Sequence, residues 1–159
     1  MSPRPLATRR LILQGAATVA LLGLGNLPFA PAHAAANDKY PEDAFKQKTV
    51  ADAIKALYGK TAEPSDKVKM DAPEIAENGA VVPISATTTL SGVTSISFLV
   101  SENPISLVAS YKIPDGTLPS VGNRIKMAKT SNVVVLVEAD GKLYSATKEI
   151  KVTVGGCGG

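Results

Sequence analysis

The chain has 159 residues, with one cysteine, one histidine and no tryptophan, a length that suits a single domain once any processed segment is set aside. Its 17 Lys and Arg stand against 14 Asp and Glu, but Arg4, Arg9 and Arg10 all fall in residues 1–34, which hold no acidic residue, so the remainder balances at 14 against 14. That balance argues against a nucleic-acid surface; the only histidine, His33, lies in the same leading segment, which removes His-dependent triads and imidazole metal ligation from the rest.

Residues 1–34 have the layout of an export signal: a basic start, an apolar stretch over 11–27, and the small-residue triplet Ala32-His33-Ala34. The stretch is interrupted by Gln14, Thr18 and Asn26 and followed by Pro28 and Pro31, whereas a lasting anchor needs about 20 strongly apolar residues. Thr8-Arg9-Arg10-Leu11-Ile12-Leu13 is similar to a twin-arginine signal. The expectation is therefore removal of residues 1–34 on export by that route, leaving a periplasmic mature form with no membrane anchor.

The mature chain opens with a polar leader. Over 49–59 the spacing predicts one short helix, since Val50, Ala53, Ile54, Leu57 and Tyr58 form a single apolar stripe. Thr49 with Asp52 three residues on resembles a capping box, and Gly59 is placed to end the helix. So short a helix must dock, on its own domain or on a partner subunit.

Residues 63–78, rich in Pro, Asp, Glu and Lys, read as extended loop. Runs over 80–89, 93–100, 105–112 and 132–139 are rich in Val, Ile and Thr and read as strands. In the second, Thr94, Ile96, Phe98 and Val100 are expected to face the core. Asp140-Gly141 predicts a tight hairpin turn, and the strand after it places Tyr144, Ala146, Ile150, Val152 and Val154 on one face, with Lys148 the one break. Pro114-Asp115-Gly116 and residues 120–123 read as turns. Closely spaced strands with no helix between them predict a mainly β, immunoglobulin-like antiparallel sandwich over residues 35–154, with its short helix at the N-terminal end.

Five residues follow the last strand: Gly155, Gly156, Cys157, Gly158 and Gly159. Glycine loses the most freedom on ordering, so residues 155–159 read as a flexible arm. Three residues from Val154 to Cys157 reach roughly 10 Å at about 3.3–3.6 Å each. The sole thiol excludes an internal disulfide or a Cys-x-x-Cys site. A glycine run cannot bury it, and an exposed thiol in an oxidising compartment is chemically vulnerable. The arm offers a nucleophile with exchangeable sulfur bonds but no general base. It suits a substrate carrier presented to other enzymes, with no catalytic residue, metal or cofactor of its own. Three alternatives stay open from the residues alone. They are a secreted interaction domain whose cysteine only forms an intermolecular disulfide, a Gly-Gly thiocarboxylate carrier, and an enzyme with Cys157 as nucleophile. The export signal and strand pattern argue against the second, and the missing histidine against the third.

Three further segments carry a resemblance. Asp52-Ala53-Ile54-Lys55-Ala56-Leu57-Tyr58-Gly59, Ala72-Pro73-Glu74-Ile75-Ala76-Glu77-Asn78-Gly79 leading into Val81-Val82-Pro83-Ile84, and the terminal Gly-Gly-Cys-Gly-Gly, together with the twin-arginine-like signal, resemble the SoxY family of the bacterial Sox thiosulfate-oxidation system. The resemblance implies an immunoglobulin-like sandwich, a heterodimer with SoxZ, and covalent attachment of sulfur intermediates to Cys157. It also implies transient docking to SoxAX, which couples thiosulfate to the cysteine, to SoxB, which releases sulfate, and to SoxCD, which where present oxidises the remaining sulfane sulfur.

Overall fold

The computed structural model describes residues 40–156. Arg9 and Arg10, read above as part of an export signal, and Cys157, Gly158 and Gly159 lie outside the described residues.

A 3-10 turn over Ala44–Lys46 precedes helix α1, Val50–Tyr58. The capping signals at both ends hold. Thr49 is extended and its Oγ1 accepts the Asp52 N–H at 3.1 Å, while the same hydroxyl donates to Asp52 Oδ2 at 2.7 Å. Gly59 closes the helix in the left-handed region at φ 63°, its N–H donating to Lys55 O at 2.9 Å.

Nine strands follow among the described residues: β1 Ala62–Pro64, β2 Val68–Asp71, β3 Ile75–Asn78, β4 Val82–Thr88, β5 Val93–Val100, β6 Leu107–Lys112, β7 Ser120–Ile125, β8 Ser131–Ala139 and β9 Lys142–Val154. They form two layers. The larger sheet runs β1-β9-β8-β5-β6, and β3 also pairs with β9; the smaller runs β2-β4-β7. The hairpin β8–β9 turns on Asp140 and Gly141, both at positive φ (49° and 74°) as its two-residue loop requires.

Two expectations are corrected. The loop read over 63–78 is three short strands: β2 pairs antiparallel with β4, while β1 and β3 add in parallel to successive stretches of β9. Strand propensity is weak here, and pairing with distant strands overrides it. Residues 120–123, read as a turn, belong to β7, whose partner β4 holds Gly122 opposite Ser85. The sandwich thus keeps its antiparallel centre and gains two parallel additions at one edge.

The main core lies between the sheets, where Ile96, Phe98 and Val100 of β5, Val133, Val135 and Val137 of β8, and Val82, Ile84 and Ala86 of β4 are buried together. Thr94 departs from its expected place and is exposed. A bulge sets Val93 against Ala139 but Ser95 against Glu138, so Thr94 is the extra residue and the alternation restarts after it. On the outer face of the larger sheet, α1 docks its stripe on Leu99, Leu107, Leu136 and Leu143, with Ala53 fully buried. The helix therefore covers its own domain. Fully burying each such leucine contributes about 1.5–3 kcal/mol.

Tyr58, at the end of α1, carries the polar part of this contact. Its hydroxyl lies 2.7 Å from Ser97 Oγ and 3.0 Å from Ser95 Oγ, and Ser97 donates to Ser110 at 2.8 Å. Burial pushes the phenol pKa up, against the lowering effect of the serine hydrogen bonds. Beside it Lys60 pairs with Glu138 at 2.5 Å and holds that carboxyl below its usual range.

Candidate functional site at the root of the C-terminal segment

β9 is the longest strand and outruns its neighbour. Its pairing with β8 ends at Ile150 opposite Ser131, so residues from Lys151 onward need other partners. On one side β3 supplies them, with Ala76 opposite Val152 and Asn78 opposite Val154. On the other side stands the connection between β7 and β8, where Thr130 Oγ1 accepts the Val152 N–H at 2.9 Å.

Past Val154 three separate stretches of backbone meet. Gly79 donates its N–H to Val154 O at 2.7 Å, Met127 donates to Gly79 O at 2.7 Å, and Gly156 donates to Met127 O at 2.9 Å. The approach is too close for side chains. A Cβ on Gly79 would overlap Met127 O and stand 2.8 Å from Gly156 N; one on Gly155 would overlap Ala128 O; one on Gly156 would overlap the Gly79–Ala80 backbone. Gly155 and Gly156, read from the sequence as part of a flexible arm, are thus glycines for want of space, and Gly156 is tied by its own amide.

The junction is braced from behind. Asn103, in the β5–β6 connection, donates Nδ2–H to Lys126 O at 2.8 Å and accepts the Ala128 N–H on Oδ1 at 2.9 Å. Between those two groups Met127 is fully buried in the main core. Glu102 and Lys129 add an ion pair of 2.8 Å across the same two connections. Ala80 N–H is taken by Asn78 Oδ1 at 2.8 Å, which tightens the β3–β4 turn. Val81 and Val154, adjoining the junction in the chain, are 55% and 63% exposed and give it an apolar margin.

Of the nearby cations, Lys148 faces inward and donates to Ala72 O at 2.5 Å, which explains the break in the apolar face of β9, while Lys151 is exposed. Among the described residues there is no group of three or more His, Cys, Asp or Glu side chains placed to hold a metal ion, and no helix long and apolar enough to cross a membrane. Three open grooves mark the described surface: one between Pro83, Ile84 and Gly122 to Arg124, one that holds Asp66 with Ser65, and one that holds Asp71 with Ser85. The junction is what the fold builds at the residues that immediately precede Cys157, the sole cysteine, in sequence. Sequence reasoning missed Gly79, Asn103, Met127 and Thr130. Asn78-Gly79 is a recognisable turn pair, but nothing local marks the other three.

No match is found among curated protein sequences. A solved structure, the sulfur carrier protein SoxY from Chlorobium limicola f. thiosulfatophilum, is 44% identical with a TM-score of 0.62, covering 70% of this chain and 97% of that one. The endo-β-1,4-mannanase from Thermotoga petrophila, at 11% identity and TM-score 0.41, covers 65% of this chain and 23% of that one. The PKD domain of an M14-like peptidase from Thermoplasmatales archaeon SCGC AB-540-F20, at 10% identity and TM-score 0.37, covers 58% and 97%. The family model described as sulfur oxidation protein SoxY matches residues 54–157, from within α1 to the cysteine itself. With well over half of the sequence under that match, the chain belongs to the SoxY family of sulfur oxidation proteins.

Proposed function

We propose that the mature protein is a periplasmic carrier that holds sulfur intermediates of thiosulfate oxidation covalently on Cys157. The observation that carries this reading is that the family match runs to residue 157, the position of the chain's sole cysteine. The related structure from Chlorobium limicola f. thiosulfatophilum is that of a sulfur carrier protein. The chemistry balances simply. Joining the thiol to the outer sulfur of thiosulfate forms one S–S bond and releases one proton and two electrons, which the coupling cytochrome SoxAX accepts. Hydrolysis by SoxB then removes sulfate and leaves a persulfide on the arm, and a SoxCD-type enzyme oxidises the sulfur that remains. The described residues contribute presentation, not catalysis: the junction at Gly156 fixes where the carrier segment begins, and residues 157–159 are the part that enters other proteins.

Export follows the twin-arginine route through Arg9 and Arg10, with cleavage after Ala34, and the protein works as a heterodimer with SoxZ. Because α1 is seated on its own sheet, the partner contacts are assigned to exposed strand surface. Intact mass spectrometry of periplasmic protein from thiosulfate-grown cells tests the reading. Reductant-reversible mass additions of sulfur-containing groups are expected; protein that shows only a disulfide dimer, with no adduct, would instead support a structural role for the cysteine.

A further inference from the structure

We propose that Asn103 is a positioning residue for the carrier cysteine, acting through Met127 and Gly156 to set where the arm leaves the fold; this rests on the carrier reading above. A side-chain amide has the donor and acceptor of a peptide group. Asn103 uses both, gripping Lys126 O at 2.8 Å and Ala128 N at 2.9 Å on either side of Met127. It thereby supplies the partners of Lys126 O and Ala128 N, while Met127 between them pairs with the Gly79 and Gly156 backbone. Met127 O, so held, is the acceptor for the Gly156 N–H at 2.9 Å, and Gly156 is covalently joined to Cys157. The consequence lies in how many free residues separate the thiol from its last fixed point.

With the root fixed at Gly156, Cys157 stands one residue along the chain from it; with the root released to Val154, it stands three residues along. A flexible chain samples a root-mean-square distance of about 5–6 Å × √n. Effective concentration at a target falls roughly as the −3/2 power of length, so the release dilutes the thiol about fivefold. Asn103 should thus affect delivery to a partner enzyme and leave the intrinsic reactivity of the thiol alone.

The experiment compares wild type, Asn103→Ala and Gly156→Ala, the last of which forces a Cβ into the Gly79–Ala80 backbone at the chain's end. Amide exchange should show the Gly156 N–H protected in wild type and unprotected in Asn103→Ala, with core amides such as those of Phe98 and Leu136 unchanged. Alkylation of Cys157 by iodoacetamide should proceed at one rate in wild type and Asn103→Ala. Loading with thiosulfate by the coupling cytochrome should lose about fivefold in kcat/KM in both variants. Loading of both variants at the wild-type rate, or an unprotected Gly156 amide in wild type, would overturn the positioning role and leave the carrier reading intact. Wild-type protein that is alkylated by iodoacetamide yet never loaded would overturn both.

Discussion

The two places where distant segments are tied to the larger sheet are held by opposite means. On its outer face α1 is held by side chains: four leucines receive the helix stripe, and Tyr58 shares its hydroxyl with Ser95 and Ser97. At the root of the C-terminal segment the ties are backbone to backbone, through Gly79, Met127 and Gly156, and the side chains are missing because there is no room for them. The first arrangement tolerates repacking at an energetic cost. The second leaves no room for a side chain at Gly155 or Gly156, the two residues that precede Cys157 in sequence.

Substitutions should separate the two. The largest effect belongs to the helix face: Leu136→Ala leaves a cavity under α1 at a fully buried position and should cost about 2–5 kcal/mol in urea unfolding. A loss below about 1 kcal/mol would mean that the helix is not seated there. At the root, Gly79→Ala presses a methyl onto Met127 O and Gly156 N. The expected cost is about 1–3 kcal/mol, accompanied by faster amide exchange at Gly156; unaltered exchange would show that the junction has slack. Thr49→Ala removes the oxygen that accepts the Asp52 N–H and should cost about 1 kcal/mol, with core amides of β5 and β8 unaffected.

The smallest expected effect is a pH dependence. Tyr58 has a pKa raised above the ordinary 10.0, first by burial. Its neutral form is favoured in the fold, so between its unfolded and folded pKa values the unfolded state holds fewer protons and stability falls as pH rises. Guanidinium unfolding across pH 9 to 11 should therefore show a steeper alkaline decline in wild type than in Tyr58→Phe. Parallel curves would remove the phenol from the account. Glu138 works in the opposite range. Its depressed pKa, due first to the Lys60 hydrogen bond, gives stability that is present above the unfolded carboxyl pKa and lost as pH falls through the folded value.

The same division explains what could be read from the sequence. Periodicity exposed α1 with its Thr49 and Gly59 ends, the β8–β9 hairpin at Asp140-Gly141, and the buried alternation of β5, because each is local and carried by side chains. Residues 63–78 hid three strands because their charges and prolines suit an edge, and their partners lie far along the chain. Gly122 disguised β7 as a turn, and one extra residue at Thr94 broke an otherwise correct alternation. Cys157 stood out as the only thiol, yet the backbone junction that precedes it in the chain did not. A glycine required for close approach looks in sequence like a glycine chosen for mobility. Asn103, which reaches from one connection to another, has no signature at all.

The central claim is that Cys157 alone carries the sulfur, and the direct measurement is the intact mass of wild type and Cys157→Ser after exposure to thiosulfate and the coupling cytochrome. Serine keeps the shape but has neither the acidity nor the sulfur–sulfur chemistry of a thiol, and the change is expected to shift stability by no more than roughly 0.5 kcal/mol. Adducts, reversible by reductant, are expected on wild type, and none on a Cys157→Ser protein that remains folded. Equal adducts on both would contradict that claim.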